Sequence, residues 1–262
     1  MQNNNLKNIL AQAQKPGRFS VMSKKVLKRL FDSSGKHSQA ENMAWLKSHC
    51  SSFEAIAQRL DADLWQESTQ YAVALEKHAD VILKDIEFDL GGGGGYPFLY
   101  FITRYLKPEI VVETGVAAGF SSHAFLSAIA ANATGSLYSS DFPYFRLPRP
   151  ERYIGIVVPE SLKSNWSLYL EGDEVNLPKI FQQVNQVDIF HYDSDKSYSG
   201  RELAMTQAKS KMSSMGIILM DDIQDNSYFY DYIENNQPPA WHVFEFRGKY
   251  IGLIGDLKKS DP

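Results

Sequence analysis

A single cysteine, Cys50, in a chain of 262 residues excludes an internal disulfide framework and makes a reducing cytoplasm the expected compartment. Cys50 itself reads as a helix packing residue. Neither sign of charge dominates: 27 Lys and Arg stand against 31 Asp and Glu, a formal net charge of −4. That balance gives no electrostatic case for a nucleic-acid or anionic-membrane partner. No apolar run is long enough to span a bilayer. The opening residues Met1–Leu6 show neither the basic nor the apolar region of a signal peptide, so none is expected. The six histidines are scattered instead of paired at metal-ligand spacing, so there is no zinc motif. With 44% hydrophobic and 13% aromatic residues, the chain can bury a sizeable core as one large α/β domain with an appendage, or as two small domains.

Residues 1 to about 20 are polar, carry Pro16 and Gly17, and read as a loosely held tail. From Val21 to about Glu87 apolar residues recur at spacings of three and four, as in Phe53, Ile56, Ala57, Leu60 and Leu64, and again in Tyr71, Leu75, His78 and Ile82. Tail and helical segment together make a first unit over 1–90, which either caps a substrate pocket or forms a homodimer contact. A second unit occupies 91–262 and opens with five consecutive glycines, Gly91 to Gly95. That run is either a hinge or a loop whose backbone must approach a ligand closely.

Beyond the glycines, strands are expected at 109–113, 136–140, 166–170, 187–192 and 216–220. Helices are expected at about 97–106, 120–132, 174–184, 199–210 and 226–235. Such alternation predicts an α/β fold: a Rossmann-like, doubly wound, mostly parallel sheet with helices on both faces. At the end, Trp241–Phe246 and Tyr250–Ile254 are too close for a crossover helix and must form a hairpin, giving one antiparallel strand.

The stretch Pro108–Ser122 carries most of the functional information. A β-branched run (Ile110, Val111, Val112) meets the acid Glu113, then Gly115 and Gly119, then a helical pattern from Ser121 and Ser122. Strand, glycine loop and helix in that order place bare backbone N–H groups where α/β sheets bind small ligands. A dinucleotide-binding turn needs a middle glycine, and Ala117 stands there. This suits an adenosine ligand without a pyrophosphate, and S-adenosylmethionine is one. The second strand closes on Asp141 and the third on Asp173, placed to meet ribose hydroxyls and an adenine amino group. A second cluster follows: His191, Asp193, Asp195 and Lys196 end one strand, Asp221 and Asp222 the next. Neighbouring parallel strands lie about 4.8 Å apart, so Asp193, Asp221 and Asp222 can converge; an all-oxygen set suits Mg²⁺, Mn²⁺ or Ca²⁺.

In these motifs, residues from about 91 to 255 resemble a class I S-adenosylmethionine-dependent methyltransferase of the family-24 group of small-molecule O-methyltransferases. Val111–Ser122 is similar to the superfamily's first motif. Tyr153–Glu160, His191–Tyr198 and Met220–Ile223 resemble more family-specific signatures. The resemblance implies a seven-stranded sheet whose final strand is antiparallel. Lys196 replaces the histidine common at its position and resembles the lysine of metal-dependent catechol and caffeoyl-CoA O-methyltransferases, which supplies a general base. A lysine of reference pKa about 10.4 serves as a base only if that value is lowered; otherwise His191 or Asp193 is the better candidate.

The expected activity is therefore methyl transfer from S-adenosylmethionine to a hydroxyl of a small molecule such as a sugar or natural product. Glu113, Gly115, Gly119, Ser121, Asp141 and Asp173 would hold the cofactor. Lys196, Asp193 and His191 are the candidates for proton transfer, and Asp193, Asp221 and Asp222 for a divalent cation. Two rivals belong to other classes: a nicotinamide-dependent oxidoreductase, and a cofactor-binding protein without activity. The segment Phe142–Tyr153, aromatic and basic through Arg146, Arg149 and Arg152, either covers the cofactor edge or packs against the N-terminal helices.

Overall fold

Strand β2 (Ile110–Thr114) lies inside the sheet and anchors the rest. The computed structural model describes residues 2–15, 18–23, 35–145 and 147–257; Pro16, Gly17, Arg146 and the part of the expected helical pattern over 24–34 lie outside them. The remaining strands are β1 (Cys50–Ser51), β3 (Ser136–Ser140), β4 (Trp166–Tyr169), β5 (Val187–Tyr192), β6 (Met212–Met220), β7 (Trp241–Phe246) and β8 (Lys249–Ile254). They form one eight-stranded sheet in the order β1-β7-β8-β6-β5-β2-β3-β4. Strands β2 to β6 pair in parallel, and β8 runs antiparallel between β6 and β7. The sheet is thus Rossmann-like and mostly parallel, with the hairpin expected at the end. Its turn, Arg247 at φ 52° and Gly248 at φ 81°, has both central residues left-handed, the twist that two-residue hairpins favour.

The helices are α1 (Gln2–Ala13), α2 (Gln39–His49), α3 (Phe53–Leu83), α4 (Tyr96–Leu106), α5 (Phe120–Asn132), α6 (Asp173–Gln183), α7 (Tyr198–Lys209) and α8 (Tyr228–Asn236). The period-two alternation of the strands divides the core between the two sheet faces. Val111, Ile189, Ile217 and Leu219 pack with Leu99, Phe101, Ile102 and Phe125 of α4 and α5. Their sequence neighbours Val112, Phe190, Ile218 and Met220 pack with Leu177, Ile180, Met205 and Phe229 of α6, α7 and α8. Each such side chain, removed from water, contributes about 1.5–3 kcal/mol. Helix α4 is buried on nearly every side, with Pro97 in its first turn and Gly95 at its N-cap at φ 55°. Helix α3 bends at Asp61, whose Oδ1 accepts the Leu64 N–H at 3.0 Å and so caps the second half.

Three expectations need correction. The sheet has an eighth strand, because Cys50 and Ser51 between α2 and α3 pair in parallel with Val243 and Phe244; two residues are too few for any periodicity to reveal. Cys50 is accordingly exposed at the sheet edge instead of packed in a helix. The polar tail is not loose throughout: Gln2–Ala13 is helical, and Lys15 and Arg18 both reach Glu151, at 2.5 and 2.7 Å. Among the described residues, no helix is long and apolar enough to cross a membrane.

Candidate active site

The sheet register brings the acids together. Thr114 stands opposite Ser140 and Tyr192, Ser140 opposite Tyr169, and Tyr192 opposite Met220. The next residue on each parallel strand, Gly115, Asp141, Asp193 or Asp221, therefore emerges from the same edge. A cavity of about 360 Å³ opens there, within the range of small-molecule sites. Its wall includes Gly115, Ala117, Ser121, Asp141, Asp173, Asp193, Lys196, Asp222 and Lys249. Four of the five consecutive glycines, Gly91 to Gly94, line it too, as do Phe142, Pro143, Tyr144 and Phe145.

The glycine loop is held from below. Gly115 (φ 81°) admits no side chain, since a Cβ would lie 2.1 Å from the Asp193 carbonyl oxygen. Ala117 occupies the left-handed region at φ 50° and donates its N–H to Asp141 Oδ2 at 2.9 Å. Asp141 Oδ1 accepts the Phe142 N–H at 2.6 Å. Asp173 accepts the Ser140 hydroxyl at 2.6 Å and also the Ser194 hydroxyl. Gly119 caps α5 and does not line the cavity; its α-carbon faces Gly155, where a Cβ would stand 2.8 Å from the Gly155 Cα.

Glu113 sits one residue inside β2, fully buried and behind the cavity wall. Its Oε2 accepts the hydroxyls of Ser122 at 2.6 Å and Ser139 at 2.8 Å, and Trp166 Nε1 donates to Ser139 in turn at 2.8 Å. Burial raises its carboxyl to about 7, against the pull of the serine hydroxyls. His191, on the adjacent strand, is equally buried. Its Nδ1 lies 3.9 Å from Glu113 Oε1, neither ring nitrogen has a hydrogen-bond partner, and its ring meets Phe125 edge-on. Burial and the Lys196 charge hold the imidazole down to about 3, so it is neutral and out of reach of a ligand in the cavity.

The second cluster is bound up with lysines. Lys196 Nζ donates to Asp193 Oδ1 and stands 2.8 Å from Asp222 Oδ2. Lys249, from the C-terminal hairpin, reaches the other oxygen of Asp222 at 3.2 Å. Burial alone would lower the Lys196 ammonium, but Asp193 and Asp222 outweigh it and raise its pKa. Burial alone would raise Asp222, but Lys196, Gln224 and Lys249 hold it at about 2. Asp193 is raised, burial prevailing over Lys196. Asp221 is raised much further by burial and by Asp193; its Oδ1 is buried without a partner.

These three carboxylates, expected to suit a divalent cation, do not fit one as arranged. The Lys196 ammonium already bridges Asp193 and Asp222, and no group of three His, Cys, Asp or Glu among the described residues is disposed to hold a metal. Sequence reasoning missed Lys249 and Ser194 as cavity residues, whereas Tyr144 belongs to the Phe142–Tyr153 segment expected either to cover the cofactor edge or to pack against the N-terminal helices. Tyr144 donates its hydroxyl to the Leu90 carbonyl at 3.2 Å. Of the basic residues in that segment, Arg149 is exposed and Arg152 donates to the Tyr153 hydroxyl.

Residues 112–223 match a family model described as a methyltransferase domain. No curated protein matches the chain in sequence. Among solved structures, an O-methyltransferase from Bacillus cereus in complex with SAH superposes with a TM-score of 0.55 at 14% identity, over 70% of this chain and 90% of the other. An SAH-bound methyltransferase from Podospora anserina gives 0.53 at 12%, over 70% and 88%. The O-methyltransferase TomG from Streptomyces achromogenes, involved in tomaymycin synthesis and solved with SAM, gives 0.51 at 13%, over 70% and 89%. The glycine loop after β2 and the acid-tipped strands β3, β5 and β6 fall within or beside the segment 112–223 that matches the methyltransferase-domain model, and the fold is the one these methyltransferase structures share.

Proposed function

We propose that the chain transfers a methyl group from S-adenosylmethionine to a hydroxyl of a small molecule such as a sugar or natural product. The observation that carries this reading is the Lys196 ammonium, bridged between Asp193 and Asp222 on the wall of the cavity that the glycine loop, Asp141 and Asp173 also line. Asp141 and Asp173 offer carboxylate oxygens for ribose hydroxyls and the adenine amino group. The Gly91–Gly94 run lies beside the N-terminus of α5, where a Cβ on Gly93 would come 3.6 Å from the Ser121 N atom. A helix N-terminus favours an anion, so this end of the cavity suits the carboxylate of the methionine moiety. The segment Phe142–Phe145 lines the same cavity and offers aromatic rings to the adenine.

When bound, S-adenosylmethionine supplies an electrophilic methyl on a cationic sulfur. The chain positions the acceptor and moves one proton. Lys196 is already an ammonium and therefore does not take that proton. It faces the acceptor oxygen as a cation and stabilises the negative charge that develops there. Asp193, raised by burial, is the better proton acceptor, since Asp222 at about 2 is too weak a base. With the cofactor and acceptor bound, Asp193 would take the proton of the acceptor hydroxyl beside the Lys196 ammonium.

Methyl transfer from labelled S-adenosylmethionine to a panel of sugars and phenols tests this, run with and without chelator. Transfer to at least one hydroxyl acceptor, unaffected by chelator, is expected. Cofactor binding with no transfer to any acceptor supports the scaffold alternative instead, and nicotinamide cofactor binding supports the oxidoreductase.

A further inference from the structure

The geometry points to Arg201 as the positioning residue of this site, an inference that rests on the active-site reading above. Arg201 lies in the first turns of α7 and is fully buried, where a charge is costly unless its environment compensates it. Among the described residues, no carboxylate lies within 4.0 Å of its guanidinium. Its two terminal nitrogens instead donate to successive backbone carbonyls, Nη1 to Asp221 at 3.0 Å and Nη2 to Asp222 at 2.8 Å. Its Nε has no partner, and its Cζ lies 6.0 Å from the Tyr192 ring centroid.

A planar fork on two consecutive carbonyls fixes the orientation of the peptide between them, which a single-point ammonium cannot do. That peptide needs fixing, because Asp222 sits in the left-handed region at φ 53°, a conformation that a side chain disfavours. The twist separates the two acids: Asp222 turns to Lys196 and Lys249, while Asp221 turns to Gly94. The guanidinium also places a permanent positive charge beneath two acids that repel each other. Arg201 does not line the cavity. It acts on the chemistry through the placement of Asp222, and hence of Lys196. Two further contacts hold the facing loop: Asn226 donates to the Lys196 carbonyl at 2.8 Å and Tyr192 to the Asp195 carbonyl at 2.7 Å.

Arg201→Met and Arg201→Lys, compared with the full-length wild type, test this. Three readouts serve: crystal structures, the titration of Lys196 followed by NMR after reductive ¹³C-methylation, and calorimetric binding of S-adenosylhomocysteine. In Arg201→Met the Lys196–Asp222 contact is expected to open and the Lys196 titration to fall by about one pH unit or more. Arg201→Lys should give an intermediate value, and S-adenosylhomocysteine affinity should stay within about threefold. If Arg201→Met does not fold, Arg201→Lys carries the test. An unmoved Asp222 and an unmoved Lys196 titration in a folded variant would overturn the inference. Failure of the wild type to bind S-adenosylhomocysteine would instead overturn the active-site reading on which it rests.

Discussion

Gly94 and Asp221 are packed so closely that a Cβ on the glycine would stand 1.6 Å from the Asp221 Oδ2. The glycine run is therefore not uniform in its demands. A Cβ at Gly92 meets nothing within 4 Å. Gly94→Ala must displace the Asp221 side chain or the backbone and is expected to cost about 1–3 kcal/mol. Gly92→Ala should be neutral or stabilise by a few tenths of a kcal/mol, by restricting the unfolded chain. Thermal melts of the two variants check this; equal behaviour would mean that the run is a hinge without steric demands.

Ala117 holds a conformation that glycine adopts more readily, at φ 50°, on the cavity wall. Ala117→Gly removes strain of about 1 kcal/mol but gives the unfolded chain comparable freedom. Denaturant unfolding should show a stability change of less than about 1 kcal/mol. A loss near 2 kcal/mol would show that the methyl group itself packs.

Glu113 and His191 give stability opposite pH dependences. Glu113 is raised to about 7 from 4.5, so the native protein binds the extra proton between those values. Its contribution is full below about 4.5 and is lost as pH rises through 7. His191 is lowered to about 3 from 6.5; its contribution is present above 6.5 and is lost as pH falls toward 3. Glu113→Gln removes the first effect alone. The stability difference between variant and wild type should shift in the variant's favour by roughly 3 kcal/mol between pH 4.5 and 8. A pH-independent difference in urea titrations would show that Glu113 titrates normally.

Much of this site was legible because parallel strands end in register. Asp141, Asp193 and Asp221 each follow a strand's last apolar or hydroxyl residue, so tracing strand ends found them. Glu113 misled by one position: Thr114 is the true tip, and strand alternation turns the Glu113 carboxylate into the core. Lys249 could not be found that way, because it comes from the hairpin that pairs on the far side of β6. Arg201 looked like any charge on an amphipathic helix, and only its depth against the Asp221–Asp222 turn distinguishes it. The aspartate cluster was expected to suit a divalent cation; in the structure the Lys196 ammonium bridges Asp193 and Asp222 instead.

Lys196→Met removes that ammonium. Asp222 then loses the largest interaction holding it near 2, and Asp193 and Asp222 lose the cation that bridges them, with Lys249 left on Asp222 alone. Methyl transfer should fall by about 100-fold or more, the scale of losing a group that stabilises a developing oxyanion, while S-adenosylhomocysteine affinity changes by less than about tenfold. Turnover within a few-fold of wild type would remove Lys196 from the mechanism.

The most direct test of the account is calorimetric titration of S-adenosylhomocysteine into the wild type and into Asp141→Asn, whose side chain lines the cavity between the glycine loop and the aromatic segment. Wild-type binding with a Kd in the micromolar range and at least about tenfold weakening in the variant are predicted. Absence of binding to the wild type, or equal affinity in both proteins, would contradict it.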